Sequence, residues 1–222
     1  MTHELPEDNQ IAARIVARAC RKAALSTLDK NGAPYVSLVT LAFDHDLSPV
    51  LIISGMSAHT VNLKADPRVG FLFDGTEGHP NPQTGPRLSL QGKATAMAGH
   101  DDETRLRARF LARNQAAQGY TSFADFSLWK VEPSRSQFVG GFGRAVWIEY
   151  PFGLSAETLK IFQTGEADLL ETIAKTIRTD VVSIDPDGYD VVTNAGWSRL
   201  SFPHPAQSLE QALSMVEKIT PP

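Results

Sequence analysis

The 222 residues are 42% hydrophobic and 21% charged, with a formal net charge of −4. That composition is ordinary for a globular protein, and with a pI near 5.9 it gives no electrostatic reason for nucleic-acid or membrane binding. A single cysteine, Cys20, excludes an internal disulfide and a thiolate metal cluster.

The first ten residues are polar and acidic, without the basic start and apolar run of a signal peptide, and no apolar run approaches membrane-span length. A cytoplasmic location is expected. Ile11 to Lys22 has helical spacing, with Ile11, Ile15, Val16 and Ala19 on one face and Arg14, Arg18 and Arg21 expected to point outward. Two β-rich runs, Ala23 to Asp29 and Pro34 to Phe43, flank Asn31-Gly32 and predict a hairpin. The second run is apolar enough that packing on both faces is expected. Asp44 to Ser48 reads as a turn and Pro49 to Ser54 as a strand. Gly55 to Asp66 reads as a loop entering a short helix, and Arg68 to Asp74 as a strand. Gly75 to Pro86 is a Gly- and Pro-rich loop.

Leu88 to Met97 alternates as a long strand. Asp101 to Asn114 is a predicted helix, acids first and arginines later, as the helix dipole favours. Strands are expected at Phe126 to Val131, Gln137 to Val139 and Gly143 to Glu149. Many strands with few helices predict a barrel with helical insertions. Tyr150-Pro-Phe-Gly marks a composition break. Beyond it come a helix (Gly165 to Arg178), strands at Asp180 to Ile184, Tyr189 to Thr193 and Ser198 to Phe202, and a closing helix. That helix opens with a capping-box pattern at Ser208-Leu-Glu-Gln.

Two segments can carry chemistry. In Ser54-Gly-Met-Ser57-Ala-His59-Thr60 a strand ends at glycine and a helix opens. Free N–H groups there can bind phosphate, with Ser54, Ser57, Thr60 and His59 as side-chain donors. The same residues also read as an ordinary helix cap. Phe138-Val-Gly-Gly-Phe-Gly-Arg144-Ala offers close backbone approach and an arginine for an anion, and equally reads as a hairpin turn. Arg87 opens a long strand from which it could reach a cofactor. The six histidines have no metal-binding spacing, and no P-loop, nucleophile elbow or dinucleotide glycine pattern occurs. No protein-ligated metal is expected.

Four strings, Pro34-Tyr-Val-Ser-Leu-Val, Ser57-Ala-His-Thr-Val-Asn-Leu-Lys-Ala-Asp-Pro-Arg, Tyr120-Thr-Ser-Phe-Ala-Asp-Phe-Ser-Leu-Trp and Gly140-Gly-Phe-Gly-Arg-Ala, resemble the HugZ-type haem-utilisation branch of the pyridoxamine-phosphate-oxidase-like split barrels. The resemblance spans roughly residues 10 to 150. It implies an α+β chain: an FMN-binding split β-barrel over 1–150, followed by a small α+β domain over 151–222, similar to the DUF2470-like tail of HugZ-type proteins. It also implies a homodimer with FMN at the interface and a small-molecule substrate. The cofactor set it maps onto this chain is Ser37, Ser54, Ser57, His59, Thr60, Asn62, Arg87 and Arg144. FMN is the expected cofactor, in an oxidoreductase. Haem is the alternative, with His59, His79 or His204 as ligands, and a non-catalytic binding member is the third reading. HugZ-type relatives often carry His-Met-Asn-x-Asp-His where this chain has Leu169 to Ile177, so any haem is expected to be held weakly and not broken down.

Overall fold

A computed structural model describes residues 5–177, 180–194 and 196–219. The chain forms two compact units, Met1–Gly153 and Leu154–Pro222. The first boundary lies just past the expected 150/151 break because Phe152 is fully buried in the barrel core and its carbonyl accepts from the Arg14 guanidinium.

The first unit opens with α1 (Asn9–Ala19), whose N-cap Asp8 accepts from the N–H groups of Gln10 and Ile11. Strands β1 (Lys22–Leu28) and β2 (Pro34–Thr40) form the expected hairpin, with Gly32 at φ +80° in the turn and the Asp29 carboxylate accepting from Asn31 and Ala33 N–H. Then follow β3 (Ala42–Phe43), β4 (Pro49–Ser54), α2 (Ala58–Ala65), β5 (Arg68–Asp74), β6 (Arg87–Ala96), α3 (Glu103–Arg113), α4 (Gln118–Thr121), β7 (Phe126–Gly141) and β8 (Arg144–Ile148). All pairings are antiparallel, in the order β2-β1-β5-β6-β7-β4-β3, with β8 on β7. The two ends of that order, β2 and β3, are separated in the chain only by Leu41. The sheet therefore curls back on itself into a split barrel.

The interior is filled by Leu25, Leu41, Phe43, Phe71, Phe73, Leu88, Val131 and Phe138, with Ala12, Ala13, Val16 and Ala17 of α1 packed into the same core. A second core lies between β4 and α3, built on Val50, Ile52, Leu106 and Phe110. The strand buried on both faces is thus β4. The expected twice-buried run, β2, is an edge strand with Val36 63% and Leu38 73% exposed. The two runs expected at 126–131 and 137–139 are one strand. Pro133 is carried through it because β7 bulges there, with Ser134 the extra residue between the Gln91–Arg135 and Gly92–Pro133 pairs. Arg14 and Arg18 are buried rather than solvated, and Arg18 donates to the His45 carbonyl at 2.6 Å.

The second unit is α5 (Ala156–Thr176), β9 (Val181–Asp185), β10 (Gly188–Thr193), β11 (Gly196–Ser201) and α6 (Leu209–Lys218), with the sheet ordered β11-β10-β9. Its core joins Phe162, Ile173, Ile184, Tyr189, Val191 and Val216. Helix α5 starts nine residues before the expected Gly165, capped by Ser155; the expected end at Arg178 lies outside the described residues. Gly165 is mid-helix because a Cβ there would meet Leu209 Cδ1 of α6 at 2.2 Å. Ser208 caps α6 as the capping pattern requires, and Gln211 reaches back to the Gln207 N–H.

Candidate functional site

β4 ends at Ser54, and the chain turns into α2 through Gly55 and Met56. Gly55 N–H donates to the Asp125 carbonyl at 2.6 Å, and a Cβ on Gly55 would sit 3.3 Å from that oxygen, so glycine allows the close approach. Ser57 is the N-cap residue but its hydroxyl does not cap. It donates to the Ser54 carbonyl at 2.8 Å, and Thr60 Oγ1 lies 2.8 Å from Ser57 Oγ. The amides of Ala58 and His59 have no hydrogen-bond partner among the described residues. Two side chains tie α2 to the barrel: Asn62 Nδ2 donates to Thr27 Oγ1 at 3.0 Å, and His59 Nδ1 lies 3.1 Å from Ser37 Oγ. Ser37, Ser54, Ser57, His59, Thr60 and Asn62 are therefore brought together around one helix start.

Their protons decide what the cluster can do. Ser54 Oγ donates to Asp125 Oδ2 at 2.5 Å. Ser57's hydroxyl hydrogen is spent on the Ser54 carbonyl, so Thr60 is the donor in the Ser57–Thr60 pair. None of the three hydroxyls has a hydrogen left for a ligand. Donors that remain are two backbone amides, the His59 ring and the second Asn62 amide hydrogen. Burial pushes the His59 imidazole below its ordinary value of 6.5, so in the protein alone the ring is neutral at neutral pH rather than partly protonated. Next to Thr27 an open cleft of about 450 Å³ carries Arg68 and Lys93 on its lining, with Arg68 paired to Asp66.

Arg87 and Arg144 are elsewhere in the chain. Ser54 pairs with Phe126 at one end of β7, and Arg87 pairs with Val139 near the other. The thirteen residue steps from 126 to 139 are about 43 Å of strand contour at ~3.3 Å per residue. Arg87 donates to the Gln83 and Gly85 carbonyls, each at 3.1 Å. Arg144 holds the N-terminal segment, through Asn9 Oδ1 at 2.7 Å and the Pro6 and Glu7 carbonyls. The glycine-rich string is a hairpin tip between β7 and β8, with Gly143 at φ +77° and Phe142 96% exposed. His79 is half-buried in the 75–86 loop, and His204 is exposed in the second unit.

A charged cluster at the Asp44–Ser48 turn was not visible in the sequence as a site. Asp44, fully buried, accepts from Arg105 Nη1 at 2.6 Å, Arg105 Nη2 at 3.0 Å and Lys130 Nζ at 2.8 Å. Arg109, buried on α3, donates to the Phe43 carbonyl at 3.0 Å and lies 3.1 Å from His45 Nε2. The only signal in the sequence was two acids around a histidine between apolar strands. Among the described residues no group of three His, Cys, Asp or Glu side chains could hold a metal ion, and no helix is long and apolar enough to cross a membrane.

A curled antiparallel sheet that closes through Leu41, with a strand–turn–helix cradle on its β1–β2 side, defines an α+β split-barrel protein. The chain belongs to the pyridoxamine 5'-phosphate oxidase family, whose family model matches residues 10–140. A chloroplastic protein of Arabidopsis thaliana named non-canonical heme oxygenase HOZ is 30% identical over 155 residues, covering 69% of this chain and 45% of the relative. The chain thus spans less than half the length of that relative. A protein of unknown function from Agrobacterium tumefaciens superposes with a TM-score of 0.77 at 24% identity, over 96% of each chain, and has the same fold. A heme binding protein from Mycobacterium smegmatis superposes with a TM-score of 0.62 at 26% identity, also over 96% of each chain.

Proposed function

We propose that the barrel unit is a haem-binding protein and that His59 is the residue it offers to the iron. The Ser37–His59 hydrogen bond carries this reading. With the Nδ1 hydrogen given to Ser37 Oγ, the lone pair is left on Nε2, and a neutral imidazole oriented by a polar partner is the form in which histidine ligates metals. Burial supplies the neutral state. Met56 and Val61, three residues before and two after His59, are largely exposed and give an apolar macrocycle a surface to cover. Lys93, lining the cleft beside Thr27, suits a ligand carboxylate, while Arg68 next to it is held by Asp66. The donor set therefore fits the group, and the names of the Arabidopsis and Mycobacterium relatives support it. Haem, when bound, supplies iron redox chemistry. The chain's own part is to orient the imidazole through Ser37, to hold the helix start rigid through the Ser54–Ser57–Thr60 chain of hydrogen bonds, and to tether it through Asn62.

FMN at the same turn is the second reading. It is favoured by the unpartnered Ala58 and His59 amides and by the opposite tautomer, in which Ser37 donates to Nδ1 and Nε2–H faces an anion. Against it, the three hydroxyls are spent and the Asp125 carboxylate stands beside the turn. Either cofactor is compatible with a homodimer. That assembly is proposed from the apolar outer face formed by Val36, Leu38 and Leu72, where Ala24 pairs with both Leu38 and Leu72.

The test is a haemin titration of cofactor-free protein, followed by the Soret band, with FMN quenching on the same samples. His59→Ala should weaken haem binding by about a hundredfold or more, the order of a lost ligand bond, with partial rescue by free imidazole. Undiminished haem binding by His59→Ala removes the assignment. FMN binding that depends on His59, in protein that gives no Soret shift, selects the second reading.

A further inference from the structure

Met56 stands in the turn that opens α2 and is 82% exposed. The backbone around it is fixed. Met56 N–H donates to Ser54 Oγ at 3.1 Å, Ser57 N–H donates to the Ser54 carbonyl at 3.1 Å, and Ser54 Oγ is itself bound to Asp125. The thioether therefore stands out from a pinned turn. With Ser57 at the N-cap, Met56 and Val61 fall at the two positions, one before the cap and one in the second turn, where an apolar pair ordinarily closes over a helix start. Here both are exposed, and they form the apolar surface that the helix start offers to a ligand.

Among the described residues the other sulfur atoms are withdrawn. Met97 is 6% exposed in the core between β4 and α3, and Met215 is 9% exposed in the core of the second unit. Met1 lies outside the described residues. Burial pushes the Cys20 thiol up to about 11, outweighing the nearby Arg113, so its reactive thiolate is scarce at neutral pH. Met56 is thus the one exposed thioether among the described residues, and it sits three residues from His59. Oxidation of sulfur side chains follows exposure, and it turns a flexible apolar methionine into a polar sulfoxide.

We propose that Met56 is a modification site: hydrogen peroxide oxidises it to the sulfoxide, and the sulfoxide lowers the affinity of the His59 site for its cofactor. The second half rests on the cofactor reading above, in either of its two forms. In the step a lone pair of Met56 Sδ attacks one peroxide oxygen. The S–O bond forms as the O–O bond breaks, and the departing hydroxide takes up the proton and leaves as water. Sulfur gives up two electrons and peroxide gains them. The new oxygen is a hydrogen-bond acceptor that water solvates, so covering it with a macrocycle or a flavin ring carries a desolvation cost that the thioether did not. Methionine sulfoxide is reducible by enzymes specific for each epimer, which makes the change reversible.

The full chain, free of cofactor, is treated with hydrogen peroxide, and its methionine peptides are followed by mass spectrometry. Met56 should gain its oxygen at least about tenfold faster than Met97 and Met215, as exposure dictates. Haemin and FMN are then titrated into treated and untreated samples. Treated protein should bind its cofactor about tenfold more weakly, the order of one methionine side chain's apolar contact, and methionine sulfoxide reductases should restore the affinity. Met56→Leu has no sulfur at this position and keeps Met1, so peroxide should leave its affinity unmoved, whatever value it starts from. Equal oxidation rates at Met56, Met97 and Met215, equal affinity of treated and untreated wild type, or a peroxide effect that persists in Met56→Leu each overturns the proposal. Untreated protein that binds neither haemin nor FMN removes the cofactor reading itself, and the peroxide control with it.

Discussion

Replacing Asp44 by asparagine tests how much of the barrel's stability rests on one buried charge. Its side chain has no solvent exposure, while Arg105 and Lys130 are 22% and 21% exposed. Asparagine keeps the shape and one acceptor oxygen but turns an amide NH₂ toward cationic donors already in place. Removing one partner of a buried ion pair costs ~3–5 kcal/mol. Arg105 retains Asp102 at 3.0 Å and Lys130 retains Asp46 at 3.5 Å, which points to the lower end, about 3 kcal/mol. For a chain of this size that is a fall of about 6–12 °C in Tm, at ~2–4 °C per kcal/mol. Urea unfolding followed by tryptophan fluorescence, with Trp129 in the barrel core, measures it. The acid limb gives a second readout. Burial alone would raise the Asp44 carboxyl, but the His45 contact, Arg105 and Lys130 outweigh it and hold the group far below its ordinary 3.8. Its contribution is complete above that value and drains away as pH falls toward the depressed one, so wild type should lose stability more steeply than Asp44→Asn from roughly pH 4 downward. A loss under about 1 kcal/mol, the range of an exposed pair, would refute the reasoning.

The two cofactor readings differ in sign with pH. Because His59 titrates below 6.5, haem affinity resting on Nε2 should hold from alkaline pH down through 6.5, then fall about tenfold per unit below the depressed value. An FMN phosphate held by the same ring should bind more tightly as the ring protonates, and equilibrium titrations across this range separate the two. Leu38→Lys should give a particle of about 24.2 kDa by light scattering where the wild type gives twice that, and a wild type already at the lower mass removes the proposed dimer. Gly92→Ala places a Cβ 2.4 Å from the Glu132 carbonyl in the β6–β7 bulge and should cost ~1–3 kcal/mol in chemical denaturation, whereas Gly119→Ala, with nothing within 4 Å, should cost nothing.

Local chemistry was readable wherever a residue acts on its near neighbours. Asn31-Gly32 specifies a turn, Ser208 and Gln211 specify a helix start, and Ser54 to Asn62 specifies a strand, a glycine turn and a helix, all present as expected. The Ser57–Thr60 pair follows from i, i+3 helical spacing alone. The partners of His59, Asn62 and Ser54 do not: Ser37, Thr27 and Asp125 lie 22, 35 and 71 residues from the groups they bond.

What a side chain faces was decided only in three dimensions. The β2 and β4 sequences are both largely apolar, and only the closing of the sheet leaves one at its edge and buries the other between two cores. The arginines of α1 read as outward-facing charges by spacing, and those of α3 as complements to the helix dipole. Arg14, Arg18 and Arg109 are buried because carbonyls of Phe152, His45 and Phe43, 138, 27 and 66 residues away, receive them. Arg87 and Arg144 fall in promising motifs yet sit at the far end of β7 from His59. Periodicity fixes which residues share a face of one element. The acceptors, cavities and neighbouring charges that give those residues a role exist only after distant strands have paired.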